Sequence, residues 1–79
     1  MLVKIRFSEG LSDFTDTEKT ALRNLNLEKE NDSDLIKYRF KTDDITQVFT
    51  IISSLGYKNK LILGKSKREE KFCIMELSK

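Results

Sequence analysis

The sequence predicts a small α+β domain, a sheet with helices packed on one of its faces. Three observations point there. Val3, Ile5 and Phe7 alternate with Lys4, Arg6 and Ser8, and Ile36, Tyr38 and Phe40 alternate with Lys37, Arg39 and Lys41, the period of strands buried on one side. Ile45, Val48, Phe49, Ile52 and Leu55 recur at helical spacing. The chain has 79 residues, which suits a single domain spanning 1–79 around one thin core.

The first strand spans 1–8, and Glu9-Gly10 ends it. Thr15-Asp16-Thr17-Glu18 fits a capping box, with Thr15 as N-cap and Glu18 at N3, so a helix starts here. Asp16 and Glu18 also suit the positive end of its dipole. Ala21, Leu22 and Leu25 give this helix a narrow apolar stripe, and Phe14 packs just before it. Asn24 and Asn26 are poor interior helix residues, and the pattern turns to alternation over 25–30, which reads as a second strand. The alternative carries the helix on to Glu30. Asn31-Asp32-Ser33-Asp34 is a turn by composition, and a strand follows over 35–41.

Thr42-Asp43-Asp44 offers caps for the second helix, with Asp44 and Gln47 as a box-like pair. Gly56 supplies its left-handed stop, with Tyr57 packing back on the last turn. The tail reads as a hairpin, Leu61-Ile62-Leu63 against Phe72-Cys73-Ile74-Met75, with a charged tip from Gly64 to Glu70. Both arms are apolar on both faces, so at least one lies inside the sheet. The order is β-α-β-β-α-β with an extra C-terminal strand, which matches the ferredoxin-like two-layer sandwich. The alternative with one long first helix gives β-α-β-α-β-β. Neither order dictates a function.

Composition narrows the chemistry. There is one cysteine and no histidine, so a Cys/His zinc site and any histidine-based nucleophilic mechanism are excluded within one chain. No apolar run approaches the roughly 20 residues of a membrane span. The N-terminus lacks the apolar stretch of a signal peptide. A cytoplasmic protein without membrane contact is expected. Phe, Tyr, Met, Ile, Asn and Lys total 31 residues against 8 of Gly, Ala, Arg and Pro, a bias that fits an AT-rich genome such as that of a low-GC bacterium or its phages.

Each catalytic or ligand motif lacks a required part. Gly64-Lys65-Ser66 resembles the end of a phosphate-binding loop, but that loop needs a glycine where Asn59 stands. Asp32 and Asp34 lack the glycine of a calcium loop, and Asp43 and Asp44 are explained by capping. Glu9 follows a strand, as a metal-binding carboxylate does in some small nucleases, yet no second acid clearly converges on it. Asn31-Asp32-Ser33 matches a glycosylation sequon and reads as a turn. Cys73, between Phe72 and Ile74, reads as a buried thiol with no base beside it. No catalytic residue, cofactor or metal site is expected.

Charge remains the informative signal. Between Glu9 and Asp34 stand eight acids and three bases, while the rest of the chain carries 12 bases and five acids, although the whole chain is only +2. Neighbouring strands 1–8 and 35–41 would place Lys4, Arg6, Lys37, Arg39 and Lys41 on one open face, and the hairpin adds Lys58, Lys60, Lys65, Lys67, Arg68 and Lys71, partly offset by Glu69 and Glu70. The bland reading is a solvated sheet face that resists edge pairing. The functional reading is a non-enzymatic binding protein that meets an acidic protein surface or a nucleoprotein complex, for example an anti-CRISPR or other anti-defence inhibitor from a phage or mobile element. In the alternative, a general nucleic-acid-binding module uses the same face on phosphates. Phe7, Tyr38 and Phe40 fall on the inward parity, so base stacking is not expected from them. The acidic segment 9–34 is a second candidate surface.

Overall fold

The computed structural model describes residues 1–30, 36–65 and 71–79. Residues 31–35 and 66–70, and with them the turn expected at 31–34, most of the tip expected from Gly64 to Glu70, the sequon, Asp32, Asp34, Lys67 and Arg68, lie outside the described residues. Strand β1 (Leu2–Phe7) leads to helix α1 (Asp16–Ala21), a 3-10 turn (Arg23–Leu25) and strand β2 (Glu28–Lys29). Strand β3 (Ile36–Lys41), helix α2 (Ile45–Ser54) and strands β4 (Lys58–Lys65) and β5 (Lys71–Ser78) follow. The described strands form one sheet in the order β2-β3-β1-β5-β4. It is mixed: β1 is antiparallel to β3 and parallel to β5, while β2–β3 and β4–β5 are antiparallel.

The elements thus follow one another in the expected succession, and the architecture is an α+β sandwich with a mixed sheet. The likeness to a ferredoxin-like fold goes no further than that. The single long first helix of the alternative does not form. Helix α1 ends at Ala21, and Asn26 takes a left-handed conformation, φ 54°, that no helix interior accepts. The second strand is correspondingly shorter than 25–30, because Leu25 closes the 3-10 turn and only Glu28–Lys29 pair with β3. The apolar stripe of α1 also differs from expectation. Ala21 is exposed, Leu22 is buried at the C-cap and Leu25 is half-buried.

Strand parity builds the core. Val3 and Ile5 of β1, Tyr38 and Phe40 of β3, and Met75 and Leu77 of β5 point to one face and are buried there with Leu22, Val48 and Ile52 of the helical layer. Strand β5 lies between β1 and β4, so it is the hairpin arm that needs apolar residues on both faces. Asp44 caps α2 by accepting from the Gln47 amide at 3.0 Å. Gly56 follows the helix at φ +91°, a conformation that disfavours any side chain. Tyr57 then turns into an aromatic cluster, with Phe14 edge-on at 5.6 Å and Phe7 at 6.4 Å between ring centroids. No helix among the described residues is long and apolar enough to cross a membrane.

Candidate functional site: the open face of the sheet

The face opposite the helices is built by the other parity of the same strands. One rung crosses all five strands: Glu28 of β2, Arg39 of β3, Lys4 of β1, Ile74 of β5 and Ile62 of β4. The next rung holds Lys41, Leu2, Phe72 and Gly64, and a third holds Arg6, Glu76 and Lys60. The sheet therefore brings Lys4, Arg6, Arg39 and Lys41 together. Lys37 lies on the same side of β3, exposed like Arg39 and Lys41. Lys65 ends β4 opposite Lys71, at the far edge of the sheet. Lys67 and Arg68 lie outside the described residues.

The cations of this face are not equivalent. Arg6 is salt-bridged to Glu76 of the neighbouring strand. Arg39 is held between Glu28, at 3.3 Å, and Glu30, at 3.8 Å. These acids alternate on one strand and face β3, and the ladder continues past β2 through the Glu30 amide to the Lys37 carbonyl at 3.0 Å. Among the described residues, no carboxylate pairs with Lys4, Lys37 or Lys41. Lys4 instead places its ammonium 4.9 Å from the centroid of the Phe72 ring, a cation–π contact worth about 0.5–1 kcal/mol on an open surface.

The apolar part of the face was not legible beforehand. Leu2, Ile62, Phe72 and Ile74 are half-buried and run beside the cations. Phe72 also covers Gly64, where an added Cβ would fall 2.5 Å from its ring. The inward parity of Phe7, Tyr38 and Phe40 holds, but Phe72 supplies an aromatic ring on the open side. Phe72-Cys73-Ile74-Met75 is apolar at every position, so only the pairing of Cys73 with Val3 and of Ile74 with Lys4 decides which side each takes. At the end of the sheet Arg39 and Lys41 line a groove of about 530 Å³ with Leu2, Leu25 and Phe40.

The remaining sequence candidates fall elsewhere. Gly64 and Lys65 are extended strand, not a loop with amides turned toward a phosphate. Glu9 is exposed after β1, and among the described residues no cluster of three acids, cysteines or histidines is placed to hold a metal ion. Cys73 is buried in the sheet, which pushes its thiol above the ordinary range. A carboxyl held far below its ordinary range lies away from the open face. Glu18, buried on α1, accepts from Tyr57 Oη at 2.6 Å, the Thr15 amide at 2.9 Å and Lys79 Nζ at 3.3 Å. The Tyr57 hydroxyl is the main reason its carboxyl is held at about 2. A second pair, Tyr38 Oη to Asp13 Oδ1 at 2.6 Å, sits on the same aromatic cluster. Each carboxylate is satisfied by fixed donors, an arrangement that locks a structure rather than poising a proton.

No family model, curated protein or solved structure matches the chain.

Proposed function

We propose that this chain is a small non-enzymatic binding protein that meets its partner with the open face of its sheet. The observation that carries the reading is the β1–β3 register. It gathers Lys4, Lys37 and Lys41 on one side of the sheet with no carboxylate paired to them among the described residues, beside the apolar strip of Leu2, Phe72, Ile74 and Ile62. A surface of this kind suits an acidic patch on a protein or nucleoprotein machine. Cations supply steering and register, while the apolar strip supplies desolvated contact. Inhibition of a host defence complex, of the anti-CRISPR or another anti-defence type, is the role such a domain would fill by occupying that patch in the cytoplasm.

The acids of the same face favour a protein partner over nucleic acid. Glu28, Glu30 and Glu76 neutralise Arg39 and Arg6 and repel phosphate, and they suit a partner whose acidic patch, opposite the lysines, is flanked by bases. The nucleic-acid reading draws on Phe72, an open-face ring beside Lys4, because single-stranded bases stack on aromatics. Two experiments separate the readings. Replacing Lys4, Lys37 and Lys41 together by Glu removes no partner from the salt bridges of Arg6 and Arg39 and should remove the partner recovered from the source cell by the wild-type protein; undiminished recovery rejects the face. A gel shift with DNA and RNA at two salt concentrations should show no retention for a protein-directed surface. Tight retention that weakens steeply with salt would instead support the nucleic-acid module.

A further inference from the structure

The two edges of the sheet differ in a way that bears on what the molecule binds. At one edge, short β2 already covers β3. It does so with acids at alternate positions, Glu28 and Glu30, which face Arg39 on the open side. At the other edge lies β4, eight residues long, with no strand among the described residues on its outer side. Its exposed Lys58 and Lys60 stand at the same alternate spacing, on the same face of the sheet as Arg39. Between them and the strand's end lies apolar Leu61, 39% exposed. The chain has no proline to interrupt such an edge, and unpaired edge amides and carbonyls are a template for another strand.

We propose that the β4 edge receives an extended, acidic segment of a partner protein, which adds a sixth strand to the sheet and places carboxylates at alternate positions opposite Lys58 and Lys60. The backbone ladder supplies affinity and the alternate side chains supply specificity, as in other strand-addition complexes. The charge decides between occupants. A second copy paired antiparallel along the whole of β4 would set Lys58 of each chain opposite Lys65 of the other, a like-charge arrangement that disfavours self-association. An acidic strand meets the reverse situation, the one β2 realises against Arg39 within this fold. The inference stands on unpaired backbone at the edge. It is independent of the reading of the open face, which stands on side chains at β1 and β3.

The test uses the full chain and a synthetic peptide as long as β4 that alternates glutamate with valine. Titrated into the labelled protein, it should shift and protect from exchange the amides of β4 and leave those of β2 and β3 unchanged. A peptide of the same composition with alternate backbone nitrogens methylated should lose the interaction, because it lacks the ladder donors. The peptide with lysine in place of glutamate should not bind. Lys58→Glu with Lys60→Glu, both exposed and so not required for folding, should weaken binding about tenfold, as two cross-strand charge pairs turn repulsive. The proposal is overturned by no protection of β4 at millimolar peptide, by equal binding of the methylated peptide, or by a concentration-dependent dimer that protects β4 without any peptide. A footprint that moves to Lys4, Lys37 and Lys41 would overturn it too, while leaving the open-face reading standing.

Discussion

Glu18 shows how much one side chain does in a chain with a thin core. At N3 of α1 it closes the capping box with Thr15, and the same carboxylate ties the helix to Tyr57 after α2 and to Lys79 after β5. Replacing Tyr57 by Phe keeps the ring in its aromatic cluster and removes only the hydroxyl, leaving a buried carboxylate short of a donor. Urea unfolding should show a loss of about 1–3 kcal/mol, and Glu18→Gln should fall in the same range. The pH dependence follows from the sign of the shift. Glu18 titrates at about 2 folded, against an ordinary value of 4.5. Its contribution is complete above pH 4.5 and is lost as the pH falls toward 2, where the unfolded chain takes up the proton first. Asp13 has the same sign. Burial raises its carboxyl, and the Tyr38 hydroxyl, the Phe14 amide and Lys19 together lower it further than burial raises it. Melting temperature followed from pH 6 to pH 2 should therefore drop mainly below 4.5 for the wild type. Tyr57→Phe should flatten that drop. On the alkaline side burial, with Asp13 beside it, pushes Tyr38 up to about 12, so stability should fall again as pH rises past its ordinary 10.

Among the elements, α2 and β1 are the parts whose sequence states their structure most directly. Asp44 caps α2 and Val48 and Ile52 bury its inner stripe. Asp44→Ala should cost about 1 kcal/mol, and Ile52→Ala roughly 2–5 kcal/mol as a core cavity, both read from denaturant midpoints. Gly56→Ala forces a side chain into φ +91° and should destabilise by about 1 kcal/mol or more. Gly64→Ala meets a different obstacle, the Phe72 ring, which can swing aside. It should change stability less and expose Phe72 to solvent, an outcome visible as a shift of the ring resonances. The elements hardest to read were those where propensity and pattern disagree. Over 25–30 the apolar alternation of Leu25 and Leu27 signals a strand, but Asn26 accepts a left-handed turn, so the chain is spent on a 3-10 turn before two residues pair. In β5 every position from Phe72 to Met75 is apolar, and face assignment had to wait for the partner strand. The role of Glu18 beyond its cap depends on residues far along the chain, which no local pattern encodes.

Across the whole molecule, the alternation of cations with apolar residues in β1 and β3 made half of the open face legible in advance, because period two fixes which side each residue takes. Its neutralisation was not. Glu28, Glu30 and Glu76 reach Arg39 and Arg6 only through the sheet order, so a patch that looks uniformly basic along the sequence is mixed in space. On β1 and β3 the cations without a carboxylate partner among the described residues are Lys4, Lys37 and Lys41, and the apolar strip from Leu2 to Ile62 joins them. A protein-directed surface should bind less tightly as salt rises, but less steeply than a phosphate-tracking one, since burial of the apolar strip is unaffected by screening. The central claim is that the partner sits on this face. Amide and methyl shift mapping of the partner's footprint, once it is isolated from the source cell, tests that most directly. The account predicts that perturbation centres on Lys4, Lys37, Lys41, Phe72 and Ile74. A footprint confined to α1 and the acidic residues from Glu9 to Glu18, with the open face unperturbed, would contradict it.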